Sequence, residues 1–210
     1  MKFKRAIATT AIVGILAVGG ATAAMADEIV RTGSYTVSAS KTIDDDLLVR
    51  SGTLNIYGKV KGNVRQTGSG SIVIHKGAVV EGNVTESGTG SVTVNGLVKG
   101  NVTETTDGYV KVNRYNGYVE GNVVESGSGN VVVDGTVKGN VTESGIGNLQ
   151  VTRIVDGNVT ESGDGHLILK GTARIDGNAY EKHAGNLYVY RGAKVDGTIS
   201  ESGTGKRINR

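Results

Sequence analysis

A five-residue unit, Val-x-Gly-Asn-Val, recurs along the chain and constrains its fold more than any other feature. Its glycine falls at Gly62, Gly82, Gly100, Gly121, Gly139, Gly157 and Gly177, and Gly197 gives an eighth copy with Thr198 in place of Asn. The spacings are 20, 18, 21, 18, 18, 20 and 20 residues. An earlier, degenerate turn starts near Ile43, with Ser51-Gly52 and Leu54-Asn55-Ile56 in matching places.

Each unit contains short β-type runs. Val60, Val80, Val98, Val119, Val137, Val155, Ile175 and Val195 form one apolar column. Val64, Val84, Val102, Val123, Val141, Val159, Ala179 and Ile199 form another. A further pair alternates in-out-in, from Ile72/Ile74 and Val92/Val94 to Leu167/Leu169 and Leu187/Val189. Period-two alternation of β-branched residues means strands with one buried face. Strands recurring at such a short, nearly fixed period stack as a solenoid in which each repeat touches only its neighbours. The expected fold is an all-β, single-stranded, right-handed parallel β-helix of about eight coils. At about 4.8 Å per coil the rod is roughly 38 Å long. A left-handed six-residue coil is set aside because the position six after Val137 is Glu143, a poor candidate for burial. Glycine at the corners is expected to supply unusual backbone angles. Asn63, Asn83, Asn101, Asn122, Asn140, Asn158 and Asn178 are placed to pass amide hydrogen bonds up the stack.

Composition agrees with regular filling of space. The 210 residues include 34 Gly but no Pro, Cys or Trp. Phe3, Met1 and Met25 all lie in the first 26 residues, which read as a cleavable secretory signal: a basic start, an apolar run from Ala6 to Val18, and the small-x-small site Ala24-Met25-Ala26. Without Cys there is no disulfide framework, thiolate nucleophile or lipidation site. Removing Lys2, Lys4 and Arg5 with the leader leaves 20 basic against 20 acidic residues, so charge does not point to nucleic acid. No stable membrane span remains after cleavage. The expected location is outside the cytoplasm: extracellular, at the cell surface or in a periplasm. Residues 27–42 read as an N-terminal segment or partial cap, 43–205 as the solenoid, and 206–210 as a basic tail.

Two columns of charge are read as facing outward. Lys61, Glu81, Lys99, Glu120, Lys138 and Asp156 alternate in sign before Asp176 and Asp196 break the pattern. Glu86, Glu104, Glu125, Glu143, Glu161, Glu181 and Glu201, opened by Gln66, are acidic throughout. That column reads first as a solvated, repulsive face. The alternative is a stripe for Ca²⁺ or a polycation, with Asp156, Asp176 and Asp196 as further candidate ligands. Length variation falls at one corner, which carries Arg114, Tyr115, Tyr118, Tyr190 and Arg191 and would suit an acidic glycan or wall polymer. His75, His166 and His183 occupy three different repeat positions, so neither a metal cluster nor a catalytic triad is read from them. No other catalytic constellation or cofactor motif is evident.

The Val-x-Gly-Asn-Val unit with its following Val-x-Val strand resembles the bactofilin (polymer-forming cytoskeletal) repeat over about Ile43 to Gly205. The resemblance implies a compact right-handed β-helix whose coils stack end to end into nucleotide-free filaments. The chain departs from that family in carrying an export signal and in lacking a membrane-binding tail. The expected function is an exported, non-catalytic structural protein that self-assembles or contributes to a cell-envelope or extracellular matrix. The alternative is a secreted glycan- or wall-binding adhesion module using the Tyr/Arg/Lys corner.

Overall fold

The computed structural model describes residues 28–210; the expected leader lies outside them. The described chain is all-β and forms a solenoid of about ten turns, built from three parallel sheets. Sheet A has ten strands, from Glu28–Arg31 through Asp46–Val49, Val84–Glu86 and Val141–Glu143 to Ile199–Glu201. Sheet B also has ten, from Tyr35–Val37 through Val92–Val94 and Leu149–Val151 to Arg207–Asn209. Sheet C has nine two-residue strands, from Thr42–Ile43 to Lys194–Val195. The chain visits the sheets in strict rotation, so every strand pairs with the equivalent strand one coil away. Nine steps of about 4.8 Å make a rod roughly 43 Å long.

Register follows the repeat. Val84 pairs with Val64 on one side and Val102 on the other, and Val92 with Ile72 and Val110. The three apolar columns converge on one continuous core, where Val98, Val141, Leu149 and Leu167 have no exposed surface. Burying each such side chain stabilises the fold by roughly 1.5–3 kcal/mol. This is how a chain with so few aromatics fills its interior.

Both ends extend beyond the expected solenoid. Glu28–Arg31 and Tyr35–Val37 start sheets A and B, and pair with Asp46–Val49 and Leu54–Ile56. The basic segment at the other end is not a departure from the repeat: Arg207–Asn209 pairs in register with Leu187–Val189.

The corner glycines have a different cause from the expected one. Gly139 does not adopt a left-handed backbone angle. A Cβ there would instead stand 2.5 Å from the Gly121 carbonyl oxygen of the preceding coil, and one on Gly147 would stand 1.7 Å from that of Gly129. Close stacking of backbone on backbone, not φ, requires glycine at these positions. Left-handed angles occur in the length-variable corner, at Gly77, Tyr115 and Gly192, and in turns of the first coils, at Gly33, Gly52 and Gly70.

Candidate functional site

The acidic column faces inward. Glu86, Glu104, Glu125, Glu143, Glu161 and Glu181 have no exposed surface, and neither does Gln66. Glu201, on the last sheet A strand, is half-buried. This overturns the outward, solvated reading of the column and with it the accessible Ca²⁺ stripe. The cause is period two: Val84 and Glu86 lie two apart on one strand, so both side chains point to the same face. It also removes the argument that set aside a six-residue coil, since Glu143 is buried after all.

Each carboxyl is held by the turn that follows it. Glu86 Oε1 accepts the N–H of Gly88 at 2.9 Å, Glu125 that of Gly127 at 2.8 Å, Glu143 that of Gly145 at 2.9 Å and Glu161 that of Gly163 at 2.8 Å. Glu104 Oε1 accepts from Thr106 N–H at 2.9 Å and its hydroxyl at 3.0 Å. Glu181 Oε1 accepts from the N–H groups of His183 and Gly185 at 3.1 and 3.2 Å. The other oxygen, Oε2, is buried without a partner in all six, and so is Gln66 Oε1. Burial pushes the carboxyls of Glu86, Glu125, Glu143 and Glu161 up to about 7, and Glu181 upward.

Three further ladders surround this column. In the expected asparagine ladder, each Oδ1 accepts the N–H of the next member; Asn140 Oδ1 accepts from Asn158 N at 2.8 Å. It starts one coil earlier than expected, with Asp46 accepting from Asn63 N at 2.7 Å, and closes on Thr198. A second ladder precedes sheet B, where Asn130, Asn148, His166 and Asn186 each accept a main-chain N–H from the next coil. Its signal was present in the sequence, because these positions all stand one residue before a Leu-x-Val-type strand. The third is a hydroxyl column just after the acids: Ser144 and Ser162 donate to the main-chain carbonyls of Glu125 and Glu143, both at 3.3 Å.

The alternating charge column lies on the outer surface, with Glu81 and Asp156 half-buried, and is only partly paired. Lys99 meets Glu81 at 3.2 Å, and Lys138 meets Asp156. Lys61 turns instead to Asp44 at 2.5 Å, while Glu81 takes Lys59 at 2.9 Å. Asp176 and Asp196 are exposed. Among the described residues, no group of three or more His, Asp or Glu side chains is arranged to hold a metal ion.

The candidate binding edge divides in two. Arg114 lies over Tyr115, 5.1 Å from its ring centre, and Tyr115 is 80% exposed. Tyr115 and Tyr118 line a shallow cavity of about 180 Å³ with Arg153. Tyr190 and Arg191 sit four coils further on, roughly 19 Å away at 4.8 Å per coil. There Lys170 lies 4.5 Å from the Tyr190 ring centre, and Arg210 lies 4.6 and 5.9 Å from those of Tyr188 and Tyr190. The five candidate residues therefore form two separate patches. His75 stacks on Tyr57 at 3.8 Å, His166 meets Tyr188 edge-on, and His183 pairs with Asp164 at 2.9 Å, each histidine in its own setting. No family model, curated protein or solved structure matches this chain.

Proposed function

We propose that this chain is an exported, non-catalytic structural protein that assembles through the ends of its rod, within a cell envelope or extracellular matrix. The observation that supports this most is that, among the described residues, all three sheets end on strands with a single neighbour: Glu28–Arg31 and Ile199–Glu201, Tyr35–Val37 and Arg207–Asn209, Thr42–Ile43 and Lys194–Val195. Unpaired strand edges are templates for another chain. At the C-terminal end Val195 and Ile199 pack on the core but remain half-covered. Sheet B is blunter there, because Arg207 and Asn209 occupy the positions that continue the Leu187 and Val189 columns. The apolar seam open to a second copy is therefore Val195 with Ile199. Bactofilin-type end-to-end stacking and a right-handed coil fit this reading, the latter also with the right-handed preference of parallel crossovers. The buried carboxyls form a regular ladder along the stack, an arrangement that fits a structural role.

Light scattering and negative-stain microscopy, with and without Ca²⁺, test the proposal. The expected result is ion-independent filaments one coil wide, lost in Ile199→Asp while the fold persists. A monomer under all conditions contradicts it. A second reading, binding of an anionic glycan, draws on the cation-rich final coils, where Lys170 and Arg210 flank Tyr190. Retention of monomer on an anionic wall polymer, lost in Arg210→Ala, would favour that reading.

A further inference from the structure

The buried glutamates pose a problem that assembly does not address. Six carboxyls share one interior column, spaced one strand apart at about 4.8 Å. Sheets B and C present aliphatic side chains to the same interior, among them Val92, Val94, Val98, Leu149 and Val151. Among the described residues no Lys or Arg is buried beside the column. The acidic groups facing each carboxyl are the carboxyls above and below it. Of the titratable side chains next to the column in sequence, Arg65 and Tyr180 lie on the opposite face of their strands, Lys182 and His183 are exposed, and His183 is engaged with Asp164. At the N-terminal end the column passes to Gln66, Val49 and the exposed Arg31, two coils beyond Gln66. At the other end it stops at half-buried Glu201.

Six adjacent ionised carboxylates cannot be accommodated in such a space without partners. Oε1 of each is already satisfied by main-chain N–H groups, whereas Oε2 is orphaned. A proton on Oε2 turns an orphaned acceptor into a donor, and the neighbouring carboxyl supplies the acceptor. Gln66 fits this scheme at the column's end. Its Nε2 donates to Gly52 O at 3.5 Å, and its Oε1 is buried and unpartnered, an acceptor in register with Glu86.

We propose that the glutamate column is a proton-sharing ladder, in which carboxyls held in register by the following turns hydrogen-bond to one another through protons kept inside the fold, ending on Gln66, so that ambient pH sets the stability of the rod. The upward shift of Glu86, Glu125, Glu143, Glu161 and Glu181, caused first by burial, agrees in direction. A carboxyl that holds its proton more tightly folded than unfolded contributes stability that is fully present below its ordinary value of 4.5 and is lost as pH rises through about 7. The rod is firmest in mild acid and loosens toward alkaline pH. Most soluble proteins, whose carboxylates are stabilised by partners, lose stability in acid instead.

Thermal unfolding of the purified chain between about pH 5 and pH 8, together with infrared spectroscopy of its carboxyl groups, tests the ladder. The unfolding midpoint is expected to fall by about 10 °C or more across that range, since several groups release protons together. Glu143→Gln, which places a permanent N–H donor where the proton sits, is expected to flatten the pH dependence and to exceed the parent in stability at the alkaline end. Glu81→Gln, on the outer charge column, is expected to leave the slope in place. The infrared spectrum of the folded parent should carry a buried neutral carboxyl band near pH 6 that disappears by about pH 8, a readout that needs no variant; in folded Glu143→Gln the band is reduced. A midpoint that does not change with pH, without a neutral carboxyl band, overturns the proposal. So does stabilisation of the parent by Ca²⁺ that is abolished in Glu143→Gln, since it would mean that metal rather than protons neutralises the column.

Discussion

Single positions in this fold are judged by what lies one coil above and below. Gly147 has space only for a hydrogen, because the Gly129 carbonyl sits 1.7 Å from where a Cβ would be. Gly147→Ala is expected to destabilise by roughly 3 kcal/mol through forced separation of the coils, read as a lower midpoint in denaturant. Asn140 both receives and passes on the ladder, so Asn140→Ala removes the acceptor of Asn158 N–H and Nδ2 at 2.8 and 3.2 Å. A loss of about 1–2 kcal/mol is expected. The asparagine ladder was legible in the sequence because the residue type repeats. The glycine columns were legible too, but their cause was not, since it depends on the distance between coils. The glutamates misled for a physical reason: residue chemistry argues for solvent, whereas strand periodicity argues for the core, and here periodicity wins. Placing Glu143 six residues after Val137 and six before Leu149 already put it in a series of inward positions.

At the scale of the strand, three residues suffice because both neighbours repeat them. On Leu149–Val151, Leu149 is fully buried while Gln150 faces outward. Leu149→Ala is expected to cost roughly 2–5 kcal/mol and Gln150→Ala less than about 0.5 kcal/mol, measured by equilibrium unfolding. From Ile43 onward the strands, their register and the apolar columns were readable from alternation and spacing. The final strand was not, because Arg207 and Asn209 replace the aliphatic residues that mark the pattern elsewhere; main-chain pairing with Leu187–Val189 carries the sheet on regardless. The variable corner was correctly seen as one edge of the solenoid. The repeat glycines from Gly121 to Gly197 already set four coils between Tyr118 and Tyr190, so the division of the tyrosines into two patches was legible in the spacing.

Over the whole molecule, stability is close to a sum of coils and of the interfaces between them. Damage in the middle of the stack therefore weakens both halves, and damage at an end stays local. The glutamate column crosses most of these interfaces, which makes it a property of the rod and not of one coil. The same column that resists charge internally leaves the outer surface free for Lys–Glu pairs such as Lys99–Glu81. Assembly through the end strands and pH sensitivity through the interior are separable: Ile199→Asp addresses the first and Glu143→Gln the second.

The most direct test of this account is a site-resolved NMR titration of the glutamate side-chain carboxyl carbons. Glu86, Glu125, Glu143 and Glu161 are expected to titrate near 7, while Glu81, held between Lys59 and Lys99, is expected to titrate below the ordinary 4.5. If the four column glutamates titrate near 4.5 as independent, solvated groups, the column lies outside, and the buried ladder and the register that places it are both wrong.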